Sequence, residues 1–550
     1  MKIPTNATDR EAFFLDLTEK CLVSRAERKS DYQSLRSWFL FGSGPQDQPA
    51  PFNKIGPHID QLLSFIYSAE TTRFSIDLGA GVPETHNDIE TAKVPILTRA
   101  VNDEWLNSNA DAVFAAAAQW ALVFNTSFIK LVMDKGIHPY MVDPGCLGVL
   151  REDIAYLDRQ EAVLHTYYIT KSELADRLFR HKNRDALLKR ITAAAHQPSE
   201  TPEGVDRILL SAVTPDMHGQ APINGAMSGV GRMRAEVAED TVEMRELYVW
   251  DSDRGDYQIV TVAEPDIYIY DRPNEEMFLK GELPFIQICP NPQYDYFWGA
   301  SEVQKLIGLQ DMRNRRVAEI LELLSLQVKP PTFMSGFTGI LDEKNFALNR
   351  AGGLLGSDMP GTKAERLAPD LPDDLFKEIA EIDAMFAEAS GISSILAGRG
   401  EVGVRSAGHA SQLARLGASR AKKRALVIED SLEKMATLYL KLMQVYDDTH
   451  FTDTANRRFI AAQFTKDFVV KVDAHSNSPI FMEDLREMVF NLRKIGAIDN
   501  ESVLDLLEPP MKQLLKGRLA KMEAAQAQVQ ATAQVLGQKP GLKAVGGGRG

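Results

Sequence analysis

Apolar residues recur at three- and four-residue intervals over residues 10–40 and 57–70, where Ile59, Leu62, Leu63 and Ile66 share one face, so helices are predicted there. Phe74 to Leu78 reads as a strand and runs into the turn-rich link GAGVPETHND. Residues 89–133 again show a helical stripe, with Leu97, Val101, Trp105 and Leu106 in line. The texture changes after Gly136: HPYMVDPGCLGVL and EAVLHTYYIT are rich in β-branched and aromatic residues and predict strands. Residues 171–194 return to a helical pattern, and a glycine-rich link covers roughly 215–232. VEMRELYVW and YQIVTVAE flank the turn DSDRGD and predict a hairpin, with strand-like residues continuing over 266–288.

A second change comes at PNPQYDYFWGASEV. From Ser301 to Val328 the pattern is helical, with Val303, Leu306, Ile307, Val317, Ile320, Leu321 and Leu324 apolar, and Lys329-Pro330-Pro331 stops it. Residues 332–370 read as short, glycine-rich and irregular. Pro372 opens a helix to Ala389, with Asp373 and Asp374 in the first turn, where carboxylates suit the helix dipole. The glycine- and arginine-rich stretch SSILAGRGEVGVRSAG follows, and then a long helix to Tyr446 whose second half spaces Ile428, Leu432, Met435, Tyr439 and Leu442 as a packing seam. FVVKVD predicts a strand, residues 480–495 and 500–536 predict helices, and LKAVGGGRG predicts a disordered end. The fold class expected is α+β, mainly helical.

Composition narrows the function classes. The 550 residues carry a formal net charge of -14, with 44% hydrophobic and 25% charged residues, an ordinary globular balance with room for several domains. That acidity argues against a tight, sequence-independent grip on duplex DNA, which needs a broad basic face; it leaves room for DNA as a transient guest. Cys21, Cys146 and Cys289 are far apart and form no CxxC pair, so buried thiols in a reducing compartment are expected. The opening MKIPTNATDREAFFLDL has no apolar core of signal-peptide length. The run Ala112 to Phe124 is too short to cross a bilayer and is expected as a buried helix.

Two glycine motifs invite an enzyme reading and fall short of it. Gly398 to Gly403 has the spacing of a phosphate loop, but Val404 occupies the lysine position and the loop follows a helix. FSIDLGAG resembles the turn of methyl-donor or dinucleotide enzymes, but Pro83 follows where a helix must start. The histidines are scattered, and no HExxH, clustered Cys/His set or GxSxG turn occurs. No catalytic residue, metal or cofactor is therefore assigned.

Charge is more informative. Between Gly398 and Ala425 stand Arg399, Arg405, Arg415, Arg420, Lys422, Lys423 and Arg424, opposed by Glu401. Upstream, Asp370 to Glu388 is acidic, and Arg313, Arg315 and Arg316 form a second basic cluster. Salt bridging between helices or subunits accounts for such clusters, and part of the island facing phosphate accounts for them too.

The order of elements resembles that of the portal proteins of tailed bacteriophages, the head-to-tail connectors. A mixed α/β part leads to the helix QKLIGLQDMRNRRVAEILELLSLQVKPP, a small irregular segment, the return helix PDDLFKEIAEIDAMFAEA, the loop SGISSILAGRGEVGVRSAG and a very long helix. Gln310 and Asn314, and IGAIDNESVLDLLEPP, are local echoes, and the resemblance covers nearly the whole chain. It implies a ring, usually dodecameric, around a central DNA channel. The implied parts are a wing (1–290), a first stem helix (291–328), a clip (329–370), a second stem helix (371–390), a tunnel loop (391–404), a long wing helix with a following strand (405–480) and a crown with a flexible tail (481–550). Arg399, Gly400, Glu401 and Arg405 would face DNA, and Arg415, Arg420, Lys422, Lys423 and Arg424 would meet acidic residues of a neighbour. Implied partners are double-stranded DNA in transit, the terminase large subunit, head-tail adaptor or tail proteins, scaffold and major capsid protein, with no membrane. The implied location is the virion, and the host cytoplasm during assembly. A nucleotide- or methyl-donor-dependent enzyme and a virion adaptor or scaffold without a channel are the alternatives.

Overall fold

The computed structural model describes residues 1–47, 50, 52–67, 72–78, 93–133, 136–178, 181, 183–194, 241–263, 267–328, 332–335, 363–366, 374–390, 419–446, 450–452, 458–460, 468–472, 488–507, 515, 517–519 and 521–522. The chain begins with α1 (Ala7–Glu27), α2 (Lys29–Phe41), α3 (Ile55–Ile66), strand β1 (Phe74–Leu78), α4 (Val94–Asn107) and α5 (Ala110–Phe124). Strands β2 (Ser127–Met133), β3 (Ile137–Val142), β4 (Leu147–Val149) and β5 (Ala162–Thr170) follow, then α6 (Lys171–Arg177) and α7 (Arg184–Ala194). Next come β6 (Thr241–Asp251), β7 (Asp256–Ala263), β8 (Ile267–Pro273), β9 (Phe285–Ile288) and α8 (Glu302–Val328). The remainder holds β10 (Thr332–Ser335), β11 (Lys363–Arg366), α9 (Asp374–Ser390), α10 (Ser419–Tyr446), β12 (His450–Thr452), β13 (Arg458–Ile460), β14 (Phe468–Val472) and α11 (Asn500–Leu507). This is the α+β class expected.

Among the described residues every strand pairing is antiparallel. The largest sheet runs β4-β5-β6-β7-β8, and a smaller one runs β3-β2-β9. The expected DSDRGD turn joins β6 to β7, with Asp251 opposite Asp256. Helix α1 covers one face of the large sheet, packing Phe14, Leu17 and Cys21 on Ala162, Leu164, Leu247 and Val260. The main core lies between helices, where α10 contributes the whole predicted seam: Ile428, Leu432, Met435, Tyr439 and Leu442 are all buried. The run Ala112 to Phe124 lies in α5, a largely buried helix, as expected.

Three expectations need refinement. The helical reading of 89–133 breaks twice, at Asn109 (φ 56) and Asn125 (φ 77), both in positive-φ conformations that asparagine tolerates better than most residues. Beyond Asn125 the segment SFIKLVM is a strand, fixed at its start by Thr126 donating to the Ile288 carbonyl and Ser127 donating to the Ala117 carbonyl. The helix expected over 171–194 is two, so that Leu174 and Leu178 on one side of the break and Leu187 and Ile191 on the other reach the same cluster. The helical spacing over 10–40 is carried by two helices, α1 and α2. Residues 332–370, expected as irregular, contain the antiparallel pair β10–β11. The strand of FSIDLGAG pairs antiparallel with β14, which is not the parallel sheet a dinucleotide turn needs.

One backbone position fixes how the chain enters α8. Gly299 sits at φ +67, and a Cβ there would meet the Cys289 Sγ at 2.5 Å and the Asn291 carbonyl oxygen at 2.8 Å. Both the left-handed conformation and the close approach require glycine. Gly299→Ala should therefore lower the unfolding free energy by about 2 kcal/mol, readable in urea titrations; an unchanged midpoint would show that the turn relaxes at no cost.

Candidate functional site

Helices α8 and α9 form an antiparallel pair. Ile320 of α8 and Ile382 and Phe386 of α9 are buried. Arg313 Nε donates to Asp383 at 3.1 Å, and Arg316 bridges Glu378 at 2.9 Å and Glu319 at 2.6 Å. Lys54, at the head of α3, also pairs with Asp383 and ties the helix pair to the body. The basic cluster on α8 is thus largely answered by the acidic run on α9 of the same chain.

The upper half of α8 is bound to the body through two amides. Gln310 accepts from the Lys54 backbone N–H at 3.1 Å and donates to the Phe52 carbonyl at 3.0 Å and to Asn314 at 2.8 Å. Asn314 donates to the Gly42 carbonyl at 2.7 Å. These are the two residues singled out on this helix in the sequence, and they hold the α2–α3 connection against it. Below them the helix emerges from the core. Leu321 is 55% exposed and Val328 77%, with Leu324 also exposed, and Phe376 on α9 is 50% exposed. Val317, Leu321, Leu324 and Val328 follow at four-, three- and four-residue steps, one stripe of a helix.

At its head α8 is capped by Ser301, whose hydroxyl accepts from the Gln304 N–H at 3.2 Å and donates to the Val123 carbonyl at 2.7 Å. The next residue, Glu302, is 1% exposed. Its Oε1 accepts from Arg424 Nη2 at 2.6 Å, Arg424 Nε at 2.9 Å and Lys305 Nζ at 2.9 Å. Arg424 also meets Asn291 Oδ1 at 3.1 Å. Burial alone would raise the Glu302 carboxyl, but the Arg424 and Lys305 charges hold it below its ordinary value. Burial drives His58 of α3 down to about 4, with smaller opposing effects of Glu302 and Arg424, and among the described residues its Nε2 has no hydrogen-bond partner.

Arg399, Gly400, Glu401, Arg405 and Arg415 lie outside the described residues, as does the side chain of Arg420. Lys422 is half-buried and Lys423 exposed on the first turns of α10. Arg424 differs from these neighbours in its surroundings. It is buried and its charge is met by Glu302 of its own chain, because the first turns of α10 dock against the head of α8.

A second polar cluster was not singled out in the sequence. Lys130 of β2 reaches across to Glu246 of β6 at 2.5 Å, and Glu246 also accepts from Tyr167 at 2.6 Å and Tyr248 at 3.0 Å. His165 stacks on Tyr167 and meets Phe285 edge-on. Burial would raise the Glu246 carboxyl, but the Lys130 charge and His165 hold it well below the usual range. Tyr167 and Tyr248 are pushed well above theirs by burial and by the Glu246 charge. Every member of this set is turned onto another, so it clamps the two sheets together and offers no open coordination to a substrate. The signal was present as i, i+2 pairs, His165 with Tyr167 and Glu246 with Tyr248, which share a strand face. Their convergence depends on strand register. Among the described residues no group of His, Cys, Asp and Glu could hold a metal ion, and no helix is long and apolar enough to cross a membrane.

No family model and no curated protein matches the chain. Among solved structures, it is similar to a chain of the virion of a native gene transfer agent particle, with 11% identity, a TM-score of 0.42, and coverage of 87% of this chain and 94% of that one. It is also similar to a chain from the neck of an empty gene transfer agent particle computed with C6 symmetry, with 12% identity, a TM-score of 0.39 and coverage of 87% and 94%.

Removing one partner of the buried pair, as in Arg424→Ala, should cost about 3–5 kcal/mol of stability, while Lys423→Ala should change it by less than about 0.5 kcal/mol. Equal effects in chemical denaturation would contradict the burial contrast. His58, held neutral, should make stability fall on acidification. Its folded value of about 4 lies below the ordinary 6.5, so its contribution is present above 6.5 and is lost as pH falls towards 4. His58→Gln should flatten that part of the stability profile relative to the parent protein.

Proposed function

We propose that the chain is the portal subunit of a tailed-phage particle: a ring-forming, non-enzymatic connector at one capsid vertex through which double-stranded DNA is packaged and ejected. The observation that carries this reading is the helix pair α8–α9, bound to the body at one end and emerging at the other with an apolar stripe bare to water. Such a stripe is costly on a solitary subunit, and a neighbour in a closed ring removes it from water. Residues 329–370, between the two helices, would form the clip that meets the terminase and later the tail adaptor. Residues 391–404 would form the tunnel loop, with Arg399 and Arg405 nearest the phosphates. The mixed part (1–290) would be the wing and residues 481–550 the crown. An acidic chain with sparse arginines suits passage, since phosphate contacts hold a duplex without reading its sequence. Scaffold and major capsid protein would surround the ring at the vertex, and assembly would take place in the host cytoplasm.

Two measurements test the reading. Purified protein should form closed rings without DNA or nucleotide, seen by native mass measurement. A monomer at every concentration, with or without capsid components, would overturn it. Leu321→Asp with Leu324→Asp should shift the ring towards monomer, a loss of at least about 2 kcal/mol per contact, while changing monomer stability by about 0.5 kcal/mol or less. Arg399→Ala should leave the ring mass unchanged and alter DNA packaging or retention, and Gly400→Pro should do more harm by stiffening the loop. DNA handling unaffected by both would remove the loop from the channel.

A further inference from the structure

The apolar stripe of α8 occupies one flank of the α8–α9 pair, and the opposite flank is apolar and exposed too. Gln310 and Asn314, which hold the α2–α3 connection, lead into Val317, Leu321, Leu324 and Val328 at three- and four-residue steps, so all six share a flank. On α9 that flank carries Asp383, which meets Lys54, and Phe376 seven residues before it. Arg313 and Arg316 face α9. At about 100° per residue, Met312 and Leu326 then lie on the flank away from the stripe, as do Glu381 and Met385 of α9. All four are exposed.

The two flanks match level by level. The Arg313–Asp383 pair fixes which residues stand level across the helices. Phe52, an exposed ring 5.6 Å from the Arg313 guanidinium, has its carbonyl bonded to Gln310, so it stands level with Met312 and Met385 on the other flank. Charge is matched as well. Among the described residues Asp383 is the carboxylate that answers both Lys54 and Arg313, which leaves one net positive charge on the stripe flank. Glu381, two residues from Asp383 and so about 3 Å away along the axis, is exposed on the other flank with no ion-pair partner among the described residues.

We propose that these flanks are the two halves of one contact between copies of this chain: Phe52 and the α8 stripe of one subunit pack on Met312, Met385 and Leu326 of the next, whose Glu381 faces Lys54 and Arg313 of the first. This rests on the ring reading and gives the exposed stripe its partner. Rotation about an axis running along the pair carries a residue round the axis and not along it, so residues that meet must stand level, as these do. The surplus cation then meets the unpaired carboxylate, and two flexible thioethers meet an aromatic ring. Because the halves lie on opposite flanks, each subunit has one of each to offer and the series continues round a ring. Stripe against stripe would stop at a dimer.

Cross-linking of the full-length chain tests the contact. Phe52→Cys/Met385→Cys, treated with a short bismaleimide, should give a covalent ladder on a denaturing gel that ends at the ring mass, while each single variant stays at monomer mass. Glu381→Lys should raise the concentration at which the ring half-dissociates about tenfold at about 50 mM salt, and by less at about 500 mM. Rings of parent mass without a ladder, or with equal ladders from the single variants, would overturn this contact and leave the ring reading standing. A ladder from a chain that never closes into rings would uphold the contact and overturn the ring reading. If the cysteine variants fail to assemble, Glu381→Lys decides: an unchanged dissociation concentration at low salt overturns the proposal.

Discussion

A carboxylate and a guanidinium buried together at the head of α8 are the constraint on which the arrangement of the helices depends. Separating the two charges would cost several kcal/mol, so the pair holds the heads of the two helices together. The pair sits where the loop before α8, closed by Gly299 and Asn291, the Ser301 cap and the second turn of α10 converge. The direction in which α8 leaves the body is therefore set at its first residues. The rest of the helix follows as a rigid rod.

Rigidity at one end is what gives the exposed end its meaning. Gln310 and Asn314 bind the upper half of α8 to the α2–α3 connection, and Asp383 draws α9 to the same place through Arg313 and Lys54. Below that level Leu321, Leu324, Val328 and Phe376 are exposed. A stripe presented on a fixed rod can be matched repeatedly by identical neighbours, which is the geometric requirement of a ring. The same stripe on a mobile tail would favour disordered association.

The buried polar clusters around Glu246 and Glu302 are held in different ways, visible in their partners. Around Glu246 the donors Lys130, Tyr167 and Tyr248 are all engaged, and they join two sheets that hold each other in register. Around Glu302 one partner, Arg424, comes from a different helix. Strand register fixes the first set in one arrangement. The second set depends on two helices far apart in the chain docking side by side.

Much of this chain was legible in one dimension. The apolar stripe of α10, the α8 and α9 spans and the β6–β7 hairpin follow from periodicity and turn chemistry, because one-sided burial demands them. The breaks at Asn109 and Asn125 were not read, since asparagine permits a helix and a left-handed turn alike and only packing decides between them. Nor could spacing tell that Arg424, in a run of similar cations, is the one turned inwards to Glu302, more than a hundred residues away. Sequence by itself determined which faces must be buried and where helices can end, because those depend on neighbours along the chain. Which charges meet, and which apolar stripe is left uncovered, was decided only by tertiary structure, because both depend on residues that folding alone brings together.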